Sequence, residues 1–281
     1  MRIRPGVLLL GLGVLGAYAQ SFWPVSGSSV SFVTVGQGDC TLIQENGFTM
    51  VIDTGGWFEG RDIGGRLALP FLRSHGVHKI DLLVLTHPDM DHVGGLKAFF
   101  RRYRVGRILI PARFASSLLM QDWLAVCGVP RDQIVWVKEL YVFSVGTLSL
   151  RVDAPPFGND APDNDGSMVV EARWPSASFL LTGDAGVAVE SWLVDRGQAH
   201  ETVLKAGHHG SATSSSPPYL SAVHPEYTVI SCGRTNHYGH PNAAALARLV
   251  SSSGQVFRTD REGDVTFWLS PSGVKVSRQR L

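Results

Sequence analysis

An apolar run, IDLLVLT over residues 80–86, ends directly on His87-Pro-Asp-Met-Asp-His92, and Val93-Gly94-Gly95 follows. A run of this kind reads as a strand covered on both faces, so the chain must build layers around it. Two histidines and two aspartates then leave the end of that strand within six residues. Charged groups are costly to bury unless paired, and a metal ion is the usual partner for this mix. The bland reading, an Asp N-cap with acidic residues favoured by the helix dipole, leaves His87 without a reason.

The rest of the chain repeats the pattern of a strand feeding a loop and a helix. Residues 29–35, 40–44 and 48–53 read as strands separated by glycine turns, and GGRLALPFLRSHG as a helix closed by Gly76 despite Pro70. A helix is expected from VGGLKAFFRRY, and another over 115–127. Strand SFLLTGD, helix VAVESWLVDRG, strand ETVLKAG, loop HHGSATSSSPP and strand EYTVISC follow. Loop GRTNHYGHPN, a helix over 242–250 and strands near 255–258 and 264–269 complete the order. Strand–helix units in both halves predict two packed sheets with helices outside. Asp53, the His87–His92 cluster, Asp184, His208 and His209 each follow a predicted buried strand, so they gather at strand ends, where layered folds build their sites.

The N-terminus bears on location. Arg2 and Arg4 precede an apolar stretch from Val7, and Ala17-Tyr18-Ala19 precedes Gln20, the three-part pattern of a signal peptide. The stretch is short for a spanning helix of roughly 20 residues. Phe22 and Trp23 extend it toward an uncleaved interfacial anchor, the second reading, and a buried core helix is the third. The favoured division is a leader over 1–19, a linker over 20–29 and one domain over 30–281. That domain is then exported: periplasmic, extracellular or anchored to the outer face of the membrane, with membrane association through the N-terminus. Cleavage would take the formal net charge from +1 to −1, so no global basic field marks a nucleic-acid partner. Cys40, Cys127 and Cys232 are far apart and odd in number, and read as buried thiols.

HPDMDHVGG resembles the H-x-[HD]-x-D-H signature of the metallo-β-lactamase superfamily. VGQGDCTLI (35–43), VIDTGG (51–56), LTHPDMDHVGG (85–95), LLTGD (180–184), VLKAGHHGSATSS (203–215) and NHYGHP (236–241) are together more similar to the metallo-β-lactamase-like domain of ComEC-type DNA-uptake proteins. The resemblance covers residues 30 to about 265. It implies an α/β fold, the αββα four-layer sandwich, with a dinuclear metal site at one edge. His87, Asp89, Asp91, His92, Asp184 and one of His208 and His209, the sequence not deciding which, would be the ligands. Asp184 matches the family's bridging carboxylate, and Asp91 and Asp184 would serve catalysis.

The residues alone place Asp53 as a group that orients the cluster by hydrogen bonding. Lys205 and Ser211 flank the histidine pair and are expected to meet phosphate oxygens. Ser214–Ser216 and His240 in NHYGHP are expected along the same groove. Two departures stand out. Asp89 replaces a histidine that zinc-dependent relatives often carry, and no histidine occurs from 93 to 199, where the ComEC-type pattern offers Asn164 and Ser167. A carboxylate-rich shell makes Mn²⁺ a rival to Zn²⁺ for the two divalent ions.

The function read here is metal-dependent hydrolysis of phosphodiester bonds, with DNA or another phosphodiester as partner and a nuclease related to competence proteins as the specific form. The alternatives are an exported small-molecule hydrolase of the phosphocholine esterase or β-lactamase kind, and a non-catalytic DNA-binding subunit of an uptake system. The sequence is silent on oligomeric state.

Overall fold

The computed structural model describes residues 27–279 apart from Glu59 and Asn159. The expected leader over 1–19 and most of the expected linker over 20–29 lie outside the described residues. One sheet runs in the order β17 (Gly273–Gln279), β16 (Asp264–Ser270), β1 (Ser28–Phe32), β2 (Thr41–Glu45), β3 (Phe48–Ile52), β6 (Lys79–Val84), β7 (Arg104–Pro111) and β8 (Ile134–Val137). The other runs β15 (Gln255–Arg258), β14 (Tyr227–Ile230), β13 (Val203–Lys205), β12 (Ala177–Leu181), β11 (Val169–Trp174), β10 (Leu148–Asp153) and β9 (Leu140–Val145). A small hairpin, β4 (Trp57–Phe58) with β5 (Arg61–Asp62), lies outside both.

Side-chain alternation makes the layers. Leu82 and Val84 of β6 face the second sheet and pack in one cluster with Met50, Ile52, Val152, Val170, Phe179 and Val203. Leu83 and Leu85 face the other way, under helices 63–74, 96–102 and 118–127. Both faces of the strand are covered, which is why its sequence is an almost unbroken apolar run. Leu180 and Leu204 likewise meet the helices at 187–195, 217–223 and 243–252. Helix, sheet, sheet and helix are the four layers expected from the sequence. β3, β6, β7 and β8 run parallel, as do β12 through β15, and the loops that carry the site leave their carboxyl ends.

Local differences have local causes. The expected single helix after the ligand cluster is two, Met90–Val93 and Leu96–Arg102, parted at Gly94-Gly95. A Cβ on Gly94 would lie 2.2 Å from the Trp57 amide nitrogen, and one on Gly95 the same distance from the Thr54 carbonyl oxygen. Only glycine lets the cluster dock this close to the loop after β3. The loop read after His209 contains a helix, Pro217–Val223, because prolines tolerated in a first turn look like breakers in sequence. Pro70 stays within helix 63–74 on its exposed face, where water can serve the carbonyl it leaves unpaired. Cys40 and Cys232 are buried, Cys127 is half-buried, and all three are free thiols.

Candidate metal centre

The turn after β6 holds Asp89 at the N-cap of helix 90–93, yet its carboxylate makes no capping hydrogen bond. It turns instead toward His87, with Oδ2 3.5 Å from Nε2. His92 is completely buried, and its Nδ1 donates to Asp53 Oδ2 at 2.8 Å. Asp53 is itself fixed by the Thr86 amide at 2.8 Å and the Thr86 hydroxyl at 2.7 Å. That arrangement sets the ring so that Nε2 faces Asp184 Oδ1 at 3.2 Å. His209 is set in the same way from the other sheet. Its Nδ1 donates to the Ser231 carbonyl at 2.9 Å, leaving Nε2 3.1 Å from Asp91 Oδ2 and 3.3 Å from Asp184 Oδ2.

Asp91, His92, Asp184 and His209 thus bring one ligand atom each to within 4.8 Å of one another. His87 adjoins this group with its ring 4.1 Å from that of His92, but His87 and Asp89 belong to no group of three that close among the described residues. Asn164 and Ser167 lie between the halves. The Asn164 side-chain amide is 3.3 Å from His208, and Ser167 Oγ accepts from the Asp184 amide at 3.2 Å and lies 3.3 Å from His87 Nδ1. His240 sits at the mouth, its ring 5.5 Å from His208 and 6.3 Å from His209.

The donors fit a cation. His87 Nε2, His92 Nε2 and Asp184 Oδ1 are buried and have no hydrogen-bond partner. Leaving such groups unpaired is costly, and a divalent ion between imidazole and carboxylate removes the cost. Without one, protons take its place. Burial would lower the basicity of His92 and His209, but the surrounding carboxylates, Asp184 foremost, outweigh it. His92 is raised well above its ordinary value and His209 to about 10. Burial would raise the Asp184 carboxyl, but His209 and His92 hold it well below the usual range.

A pH dependence follows. A histidine whose folded pKa is raised contributes stability that is complete below its unfolded value near 6.5 and is lost as pH climbs through the folded value. The chelator-treated protein should therefore lose Tm between pH 7 and about 10, while metal-loaded protein changes little over that range. Thermal unfolding across this range checks it; a flat profile without metal would mean the carboxylates do not hold these protons.

Several expectations need correcting. Lys205 does not reach out to phosphate: it is 2% exposed, ion-paired with Asp39, and donates to the Gly183 carbonyl at 2.9 Å. Ser211 is buried, with Oγ 3.0 Å from Thr213 Oγ1. Ser214 donates to the Gly207 carbonyl at 2.8 Å, and the amides of Ser215 and Ser216 bind the Glu190 carboxylate. These serines brace the histidine loop and do not line a groove.

Asp39 was passed over in sequence because VGQGD reads as a tight turn. It lies between Lys205 and His209, its Oδ1 3.5 Å from His209 Nδ1 and without a hydrogen-bond partner. The one available signal was a carboxylate directly before a buried strand at the same sheet edge.

The histidine pair divides unequally. Both residues adopt left-handed backbone, φ 47° and 54°, so a tight turn and not strand alternation separates their rings. His208 Nε2 is 3.8 Å from Asp184 Oδ2, and its side chain is 28% exposed. His209→Ala should weaken metal binding by about 10–100-fold or more, and His208→Ala by much less. Isothermal titration with Mn²⁺ and Zn²⁺ measures both; equal losses would contradict the unequal geometry.

Two sheets whose facing edges converge histidines and aspartates define a metal-binding α/β sandwich. The sequence profile of the metallo-β-lactamase superfamily matches residues 33–234, and the chain belongs to that superfamily. It is 33% identical over 281 residues to competence protein ComA of Neisseria gonorrhoeae, covering 99% of this chain and 38% of that protein. It is 30% identical over 257 residues to ComE operon protein 3 of Bacillus subtilis, covering 86% and 33%. These relatives are ComEC-type competence proteins, and the chain spans about a third of their length. Among solved structures, the diiron β-hydroxylase CmlA of Streptomyces venezuelae superposes with a TM-score of 0.57 at 17% identity, over 87% of this chain and 54% of that one. The metallo-β-lactamase fold protein YhfI of B. subtilis gives 0.54 at 9% identity, over 90% and 100%. At such identities the likeness concerns the fold.

Proposed function

We propose that the chain is a metal-dependent hydrolase of phosphodiester bonds that cuts DNA outside the cytoplasm. The observation that carries the reading is the meeting of Asp91, His92, Asp184 and His209 from both sheets around unpartnered ligand atoms. The competence proteins among its relatives favour DNA as the substrate. Asp91, His92, Asp184 and His209 would hold one divalent ion, and His87 with Asp89 would supply donors for a second. When bound, such ions supply an activated water and stabilise the charge that develops on phosphoryl oxygens.

The chain's own residues prepare that chemistry. Asp53 and the Ser231 carbonyl hold protons on the Nδ1 atoms of His92 and His209, which keeps each Nε2 lone pair aimed inward. Asp91 and Asp184 are kept ionised by the neighbouring His92 and His209 despite burial. His208 and His240 stand at the mouth, where a substrate phosphate would pass. The Arg-apolar-AYA leader supports export, with Gln20 as the mature first residue, and N-terminal sequencing of the processed protein tests this.

The deciding assay is DNA cleavage by metal-free protein supplied with Mn²⁺, Zn²⁺ or Mg²⁺. With Asp89 in place of a histidine and Asn164 in place of another, the site beside His87 is short of nitrogen donors, and cleavage is expected to be strongest with Mn²⁺. Full activity with Zn²⁺ alone would overturn the metal preference. No cleavage with any of the ions would overturn the nuclease reading in favour of a small-molecule esterase.

A further inference from the structure

The end of the first sheet opposite the metal centre carries an arginine cluster that the hydrolase reading does not use. Arg104 opens β7 beside Lys79, the first residue of β6, whereas the ligand turn leaves the far end of β6. Arg101 and Arg102 close helix 96–102, and Arg73 lies in the last turn of helix 63–74. The Arg102 guanidinium lies over the Tyr103 ring, 5.1 Å from its centroid. All four arginines are exposed, and none has a carboxylate partner among the described residues. Lys79, by contrast, is taken by Asp81 at 2.5 Å.

Two further features share this end. Trp268 is 37% exposed, stacks on His75 at 6.4 Å, and lies opposite exposed Lys275 in the β16–β17 register. The chain also enters the domain here. Ser28 pairs with Glu45 and Leu269, and the Gly27 carbonyl accepts from the Asn46 amide at 3.2 Å. The 26 residues that precede Gly27 therefore join the domain at this end.

We propose that this end of the domain docks on an anionic lipid surface, with the metal centre held on the far side. Unpaired arginines draw the domain to acidic headgroups, and tryptophan is the residue that settles at headgroup depth. Exposed Trp268 and the basic patch at one end supply an interfacial anchor and an electrostatic one. A nucleic-acid strand fits the cluster less well. The six residues of β6 separate it from the ligand turn by roughly 20 Å, so a strand held here would be held away from the centre.

The test uses the full chain in a Cys127→Ala background, with a bimane fluorophore on Arg101→Cys or on Tyr238→Cys at the mouth of the site. Each protein is mixed with phosphatidylcholine vesicles, with or without phosphatidylglycerol, that carry a headgroup spin label. The fluorophore at position 101 should be quenched in the anionic vesicles and released by about 0.5 M NaCl, while that at 238 stays bright. Arg102→Glu with Arg104→Glu should weaken binding to anionic vesicles by at least about tenfold. Equal quenching at 101 and 238, or none at 101, overturns the proposal. So does a charge-reversal variant that loses DNA binding with its quenching intact, which would make the cluster a nucleic-acid track. The quenching is read without substrate, so a chain inactive on DNA can still uphold the docking surface.

Discussion

Asp184→Asn is expected to abolish hydrolysis while leaving the domain folded. The side chain keeps its shape, but its Oδ1 beside His92 and its Oδ2 beside His209 lose the charge that both histidines face. The loss should exceed the roughly 10–100-fold that removing a hydrogen-bonding partner behind a ligand costs, as Asp53→Asn would by freeing the His92 ring. Metal content by atomic emission and turnover should be measured on the same sample. A variant that turns over normally with its full complement of ions would remove Asp184 from the centre.

Lys205→Met should produce the largest change in stability. Its ammonium is completely enclosed, and the lost hydration would lower its pKa; Asp39 first and Asp184 next more than offset this. Methionine fills similar space and leaves Asp39 as an uncompensated buried charge, which costs about 3–5 kcal/mol. At about 2–4 °C per kcal/mol for a domain of this size, Tm should fall by about 10 °C. Adding Asp39→Asn removes the stranded charge and should restore part of the loss. Denaturant titration of the two variants separates these outcomes, and an unchanged midpoint for Lys205→Met would mean that the pair contributes nothing.

Much of this was legible in the sequence because it rests on local pattern. The layers follow from the apolar run at 80–86, from the strand pattern SFLLTGD and from the helical stripes between them, and the crowding at one edge follows from ligands placed just past strand ends. The same local view misplaced Lys205, since a lysine beside two histidines looks like a phosphate contact until burial and Asp39, which lies 166 positions earlier, are seen together. It also missed Asp39 itself, because a glycine-rich turn gives no hint that its last carboxylate points inward. The division of labour between His208 and His209 was out of reach as well. It is set by two consecutive left-handed residues, a conformation that non-glycine side chains rarely signal.

The sheet that bears the His87–His92 turn is completed only by the end of the chain. β16 pairs with β1 across some 240 residues, Ser28 opposite Leu269, and the Asp264 carboxylate accepts from the Thr34 amide at 2.7 Å just before the VGQGD turn. During synthesis the ligand turn therefore emerges long before the strands that seal its sheet, and Asp184 and His209 also come after it. Contacts this distant in sequence close slowly. An ion meeting the growing chain would find a single cluster of donors with neither its opposite wall nor its floor, so loading belongs to the finished fold.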